Sequence, residues 1–135
     1  MKHTIFFTLA IFLIMSTTVG TAQVSTPPAT NSKSHSVEII RYTIAADQHA
    51  SFEEAYKKAG KLLEASPFCL GYQVIHGEEE PDHYIVIIDW TSTQDHMNGF
   101  RQSAQFMPFF DLVKPFYNNI DEMKHYKPGF GVAKP

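Results

Sequence analysis

Two histidines and a ring cluster carry most of the chemistry that this sequence offers. Trp90 ends an apolar run, Thr91-Ser92-Thr93 follows, and Ser92 with Asp95 three residues on makes a capping-box pattern that should start a helix. Such a helix places His96 and Phe100, an i, i+4 pair, on one face, with Arg101 about 100° further round. The second histidine, His125, lies between Lys124 and Tyr126 near the end of the chain. Imidazole takes up a proton near neutral pH, and the positive end of a helix dipole would favour its neutral, basic form at His96. Arg41, Arg101, Tyr42, Tyr72, Trp90 and Phe100 are the candidate binders, guanidinium for an anionic group and rings for an apolar body. Each has a plainer alternative: His96 packs at a helix start, His125 is an ordinary strand residue, Arg101 pairs with Asp95 or Asp111, and the tyrosines fill the core.

Other chemistries find no support. His76 and His83 flank the acidic run Glu78-Glu79-Glu80-Pro81-Asp82, but their spacing matches no zinc motif, and the run reads as a solvated hairpin tip. No metal set, Ser-His-Asp constellation, phosphate loop or dinucleotide fingerprint is evident. Cys69 is the single cysteine, so no intramolecular disulfide can form, and between Phe68 and Leu70 it reads as a small apolar side chain.

The elements that must position these residues follow from periodicity. Val37 to Ile44 alternates as a strand, with Val37, Ile39, Arg41 and Thr43 on one face and Glu38, Ile40, Tyr42 and Ile44 on the other. Asp47 is placed to cap a helix over Gln48 to Glu64, whose stripe is Phe52, Ala55, Tyr56, Ala59, Leu62 and Leu63. Gly60 inside that helix suggests close packing. Cys69 to His76 is a second strand, Gly77 to Asp82 a turn, and the run ending at Trp90 a third strand, apolar on both faces. Helical periodicity then runs from Thr93 to about Phe116, divided near Ser103 because Pro108 removes a backbone donor. Asn119 to Tyr126 is a last, more polar strand, suited to an edge or a cavity. The order βαββαβ predicts an α+β, ferredoxin-like unit: a four-stranded antiparallel sheet with both helices on one face. Tyr42, Tyr72 and Trp90 are too many large rings for two helices to cover, so the sheet should pack on a second copy as a dimeric α+β barrel.

The 135-residue chain divides into one folded unit and its ends. Residues 1–22 read as a secretory signal peptide, with Lys2, an apolar stretch from Ile5 to Met15, and small residues at Gly20 and Ala22. Residues 23–36 read as a disordered linker, 37–127 as the domain and 128–135 as a flexible tail. The expected location is therefore outside the cytoplasm, periplasmic or secreted, with no stable membrane insertion once the signal is cleaved. A net charge of −3 excludes a basic nucleic-acid surface.

These residues together resemble a known family. Arg41-Tyr42, Phe52-Glu53-Glu54-Ala55-Tyr56, Pro67 to Tyr72, Pro81 with Tyr84, Asp89-Trp90, His96 with Gly99-Phe100-Arg101, Phe109-Phe110 and Glu122 to Tyr126 are similar to the antibiotic biosynthesis monooxygenase (ABM) domain. The resemblance implies a homodimeric α+β barrel. It also implies a cofactor-independent monooxygenase, acting with dioxygen on a small quinol or phenolic compound without metal or flavin. Such chemistry needs a base for the substrate proton and a dry pocket, which gives His96 and His125 catalytic roles and Tyr42, Tyr72, Trp90, Phe100 and Arg101 substrate-binding roles. The alternative is a dimeric barrel of the cell envelope that holds a small ligand without turning it over. Haem-degrading relatives carry a histidine late in the second helix, where this chain has Phe109 or Phe110.

Overall fold

Alternation along the first strand decides how the sheet is sided. In the computed structural model, which describes residues 35–131, β1 (Ser36–Thr43) buries Ser36, Glu38, Ile40 and Tyr42 while Arg41 and Thr43 stay exposed. It pairs antiparallel with β3 (His83–Trp90) on one side and β4 (Ile120–Tyr126) on the other, and β2 (Cys69–His76) pairs antiparallel with β3. The sheet order is β2-β3-β1-β4, so the apolar β3 is central and the polar β4 is an edge, as their compositions require.

The helix α1 (His49–Glu64) lays Phe52, Tyr56, Ala59, Gly60 and Leu63 on the sheet. Asp47 does not cap it. A 3-10 turn over Ala46–Gln48 leads into the helix, and the residue just before it, Gln48, makes no side-chain cap. Gly60 packs as its position suggested, because a Cβ there would overlap the ring and hydroxyl of Tyr72.

The second helical region is more broken than its periodicity predicts. It opens as capped, with the Asp95 amide donating to Ser92 Oγ at 2.9 Å. It then widens into a π turn over Asp95–Gly99, tightens into a 3-10 turn over Phe100–Gln102, and stops at Ser103, whose backbone is extended. Ser103 Oγ donates back to the Phe100 carbonyl at 2.7 Å, closing the first segment instead of capping the next. The regular part, α2 (Phe106–Val113), follows with Pro108 in its first turn, where the missing N–H costs no helical bond. Another 3-10 stretch, Lys114–Asn119, delivers the chain to β4.

Both helical layers cover the same face of the sheet, and one core of Ile40, Tyr42, Phe52, Tyr56, Val86, Ile88, Trp90, Phe109 and Phe116 lies between. Contrary to expectation, the large rings do not require a second copy to cover them. Tyr42 and Trp90, 2 % and 1 % exposed, are both sealed beneath this chain's own helices, and Tyr72 also turns to that side, against Gly60. The opposite face carries Val37, Ile39, Ile85 and Ile87, all partly exposed, with Ile75 exposed beside them. The signal read over residues 1–22, residues 23–34 of the proposed linker and residues 132–135 of the tail lie outside the described residues. Among the described residues no helix is long and apolar enough to cross a membrane.

Candidate active site

Three elements converge on one end of the core. β1 brings Glu38 and β4 brings His125, directly paired across the strands on the helix-facing side. The π turn after β3 brings His96, which stacks flat on Trp90 with centroids 4.2 Å apart and planes 1° from parallel. His96 Nδ1 and His125 Nε2 share a hydrogen bond of 2.7 Å, and the same Nδ1 lies 3.6 Å from Glu38 Oε2. Trp90 Nε1–H donates to that Glu38 oxygen at 3.0 Å. Phe100 packs against both Trp90 and His96, so the spacing of four places the two side chains together as expected.

Burial sets the protonation of this group. His96 is held down to about 3, first because its site is desolvated and then because His125 and Arg101 lie near; His125 is lowered for the same reasons, desolvation and Arg101. The direction matches the expectation from the helix start, but the cause is burial. Glu38 is pushed up by desolvation, which the Trp90 hydrogen bond and Arg101 partly offset. With His96 neutral, its approach to Glu38 is not an ion pair.

The group opens on an apolar cleft of about 50 Å³ lined by Tyr42, Tyr56, Trp90, His96, Phe100 and Arg101, with Phe106, Phe110 and Tyr117 at its outer side. Tyr42 and Tyr56 meet there hydroxyl to hydroxyl at 2.6 Å. The Arg101 guanidinium, on an exposed residue, lies 5.7 Å over the Phe106 ring and donates to Met97 Sδ at 3.8 Å.

Six of the eight candidate residues thus gather in one place: His96, Tyr42, Trp90, Phe100 and Arg101 on the cleft and His125 behind His96. Tyr72 does not join them. Its hydroxyl donates to Glu64 Oε1 at 3.4 Å, and it lines a separate open groove between α1 and β2. Arg41 lies on the opposite sheet face, donating to Glu122 Oε2 at 3.0 Å. Glu38 and Tyr56 complete the site without having been singled out. Glu38 had a signal, a carboxylate in the alternation between Ile40 and the strand start, on the apolar face.

Comparison with known proteins now decides the family. The model of the family described as antibiotic biosynthesis monooxygenase matches residues 36–111, more than half of the chain. The chain belongs to the ABM family. Among solved structures, a candidate antibiotic biosynthesis monooxygenase from Bordetella bronchiseptica is 26 % identical, with 72 % of this chain and 99 % of that one covered and a TM-score of 0.60. A single-site variant of SnoaB, a cofactor-independent oxygenase from Streptomyces nogalater, is 14 % identical, covers 75 % and 99 %, and superposes with a TM-score of 0.62. The uncharacterized protein YczJ of Bacillus subtilis is 24 % identical over 76 residues, 56 % of this chain and 80 % of that one. The α+β ferredoxin-like fold is shared with these ABM structures. The family match ends at Asp111, before β4, so the placement of His125 rests on this chain's own geometry.

Proposed function

We propose that this ABM protein is an oxygenase of small electron-rich aromatics, a quinol or phenol, that uses dioxygen directly without metal or flavin. One observation carries the reading: a buried, neutral imidazole on the wall of an apolar cleft, hydrogen-bonded to a second imidazole that is half-exposed. The family supports the class of reaction, and SnoaB bears the name of a cofactor-independent oxygenase. In this reaction a phenolic hydroxyl gives its proton to His96, and a proton passes from the Nδ1 side to His125 and on to solvent. The Arg101 guanidinium attracts the resulting oxyanion. The anion then reduces dioxygen. One oxygen atom enters at a ring C–H, which becomes a quinone carbonyl, and the hydrogens lost from carbon and hydroxyl leave with the other oxygen as water.

The cleft of about 50 Å³ has room for dioxygen, whereas ligand sites usually measure about 300–1,000 Å³. A ring therefore enters by swinging outward the partly exposed Phe106 and Phe110 and the exposed Tyr117. Residues 1–22 support export to the periplasm or beyond, and the apolar far side of the sheet supports a homodimer.

The test is oxygen uptake with quinols and flavonoid-like phenols. Wild type consumes oxygen; His96→Ala loses about 10²–10⁴-fold, the usual worth of a positioned base, while its sedimentation is unchanged. No uptake across the panel overturns the proposal. If a ligand nonetheless raises the melting temperature with no product formed, the protein is a non-catalytic binding barrel.

A further inference from the structure

We infer that Glu38, His96 and His125 form a binding site for one divalent first-row transition-metal ion, of the Fe2+, Co2+ or Zn2+ class. Each residue offers one ligand atom, and the three atoms lie within 4.8 Å of one another; among the described residues no other group of histidine, cysteine and acidic side chains converges this way. Donors on a shared ion at about 2.1 Å would sit about 3.0–3.4 Å apart. The present separations, 2.7 Å for His96 Nδ1 to His125 Nε2 and 3.6 Å for His96 Nδ1 to Glu38 Oε2, bracket that range, so side-chain adjustments suffice.

The donor set is chemically specific. Two imidazoles and one carboxylate that leave the remaining positions open are the ligands of non-haem Fe(II) sites. All three come from different elements, β1, the π turn and β4, which explains why no linear motif betrays them. The surrounding shell is that of a built site. Trp90 Nε1–H holds the Glu38 oxygen at 3.0 Å, and the Trp90 ring fixes the plane of His96 by stacking. Neutral imidazoles can each carry their proton on the other ring nitrogen, so the ion takes the place of the hydrogen between Nδ1 and Nε2. Glu38 and His96 both line the cleft, so the open positions face it. A dication beside Arg101, offset by one carboxylate, leaves a positive site suited to an oxyanion such as a phenolate.

This inference goes beyond the proton-transfer reading: the ion takes the lone pair and hydrogen bond that the relay needs, so the relay belongs to the metal-free chain and the ion to a separate, loaded state. Its test therefore has no activity readout. Chelator-treated protein is titrated with Co2+ by visible absorption and with Zn2+ by calorimetry. One ion per chain is expected, weakened at least tenfold by Glu38→Gln and by His125→Asn, and unaffected by His83→Asn on the exposed hairpin. His125 is half-exposed, so its variant should fold even if Glu38→Gln does not. Independently of any variant, Co2+ should broaden the ring proton resonances of His96 and His125 before those of His49, His76 and His83. Absence of binding at millimolar metal, binding indifferent to both ligand variants, or broadening that begins at the hairpin histidines overturns the inference. Failure of oxygen uptake leaves these readouts untouched, and the reverse holds too.

Discussion

Tyr42 and Tyr56 exchange a 2.6 Å hydrogen bond inside the core, and their burial makes the folded state sensitive to alkali. Desolvation pushes the Tyr42 phenol up to about 12 and Tyr56 well above its ordinary range. Between pH 10 and 12 the folded chain keeps a proton that the unfolded chain has released, so this stabilisation is complete below pH 10 and is lost as pH rises through 12. Tyr42→Phe removes one phenol of this pair, and melting temperature should fall less steeply with pH above 10 than in wild type. Tyrosinate absorbance should show the corresponding group ionising only with unfolding. Equal slopes for the two proteins would mean that the hydroxyls already reach water. At this scale the sequence was informative about residue type and weaker about role. Tyr42, Trp90, His96 and Phe100 share a cleft because alternation and the i, i+4 spacing put them there. Glu38 passed unnoticed because a carboxylate on a buried face makes sense only once His125 is seen across the strand pair and Trp90 is seen donating to it.

At the scale of elements, β3 was legible because a strand covered by helices on one side and faced by apolar residues on the other leaves a run of branched aliphatics. The α1 stripe was equally plain. The break in the second helical region was foreseeable at Ser103, but the π turn at Asp95–Gly99 was not; at its end Gly99 lies so close to Phe68 that a Cβ would meet the ring at 2.7–2.9 Å. The same kind of close approach gives α1 a test of packing against propensity. Gly60→Ala favours the helix by about 1 kcal/mol, yet the new methyl would occupy the space of the Tyr72 ring and drive Tyr72 away from α1 and its contact with Glu64. The substitution should destabilise the wild type and stabilise a Tyr72→Ala background by about 1 kcal/mol, a sign reversal that a double-mutant cycle in urea would show. The same change in both backgrounds would place the Gly60 constraint elsewhere.

For the whole molecule, a second copy is a proposal that rests on a different face of the sheet from the one that raised it. Aromatic crowding is resolved inside the protomer, where the helices seal Tyr42 and Trp90. What remains is the face they do not cover, where Ile39 pairs with Ile87 and Ile75 with Ile85, so that cross-strand neighbours join into an apolar band over three strands. Charged groups rim it, Arg41 with Glu122 on one side and Asp89 on another. Continuous apolar surface of this kind is costly to leave in water, and a two-fold axis allows the same patch on each copy to cover the other. Ile87 sits at the centre of the band on the middle strand, so Ile87→Glu would place two like charges face to face across that axis. Wild type should sediment at micromolar concentration with twice the mass of one chain, and Ile87→Glu with the mass of one, while the variant keeps the native circular dichroism because its site lies across the sheet. A wild-type protein that sediments as one chain would show that the band is tolerated in water and that the proposed dimer does not form.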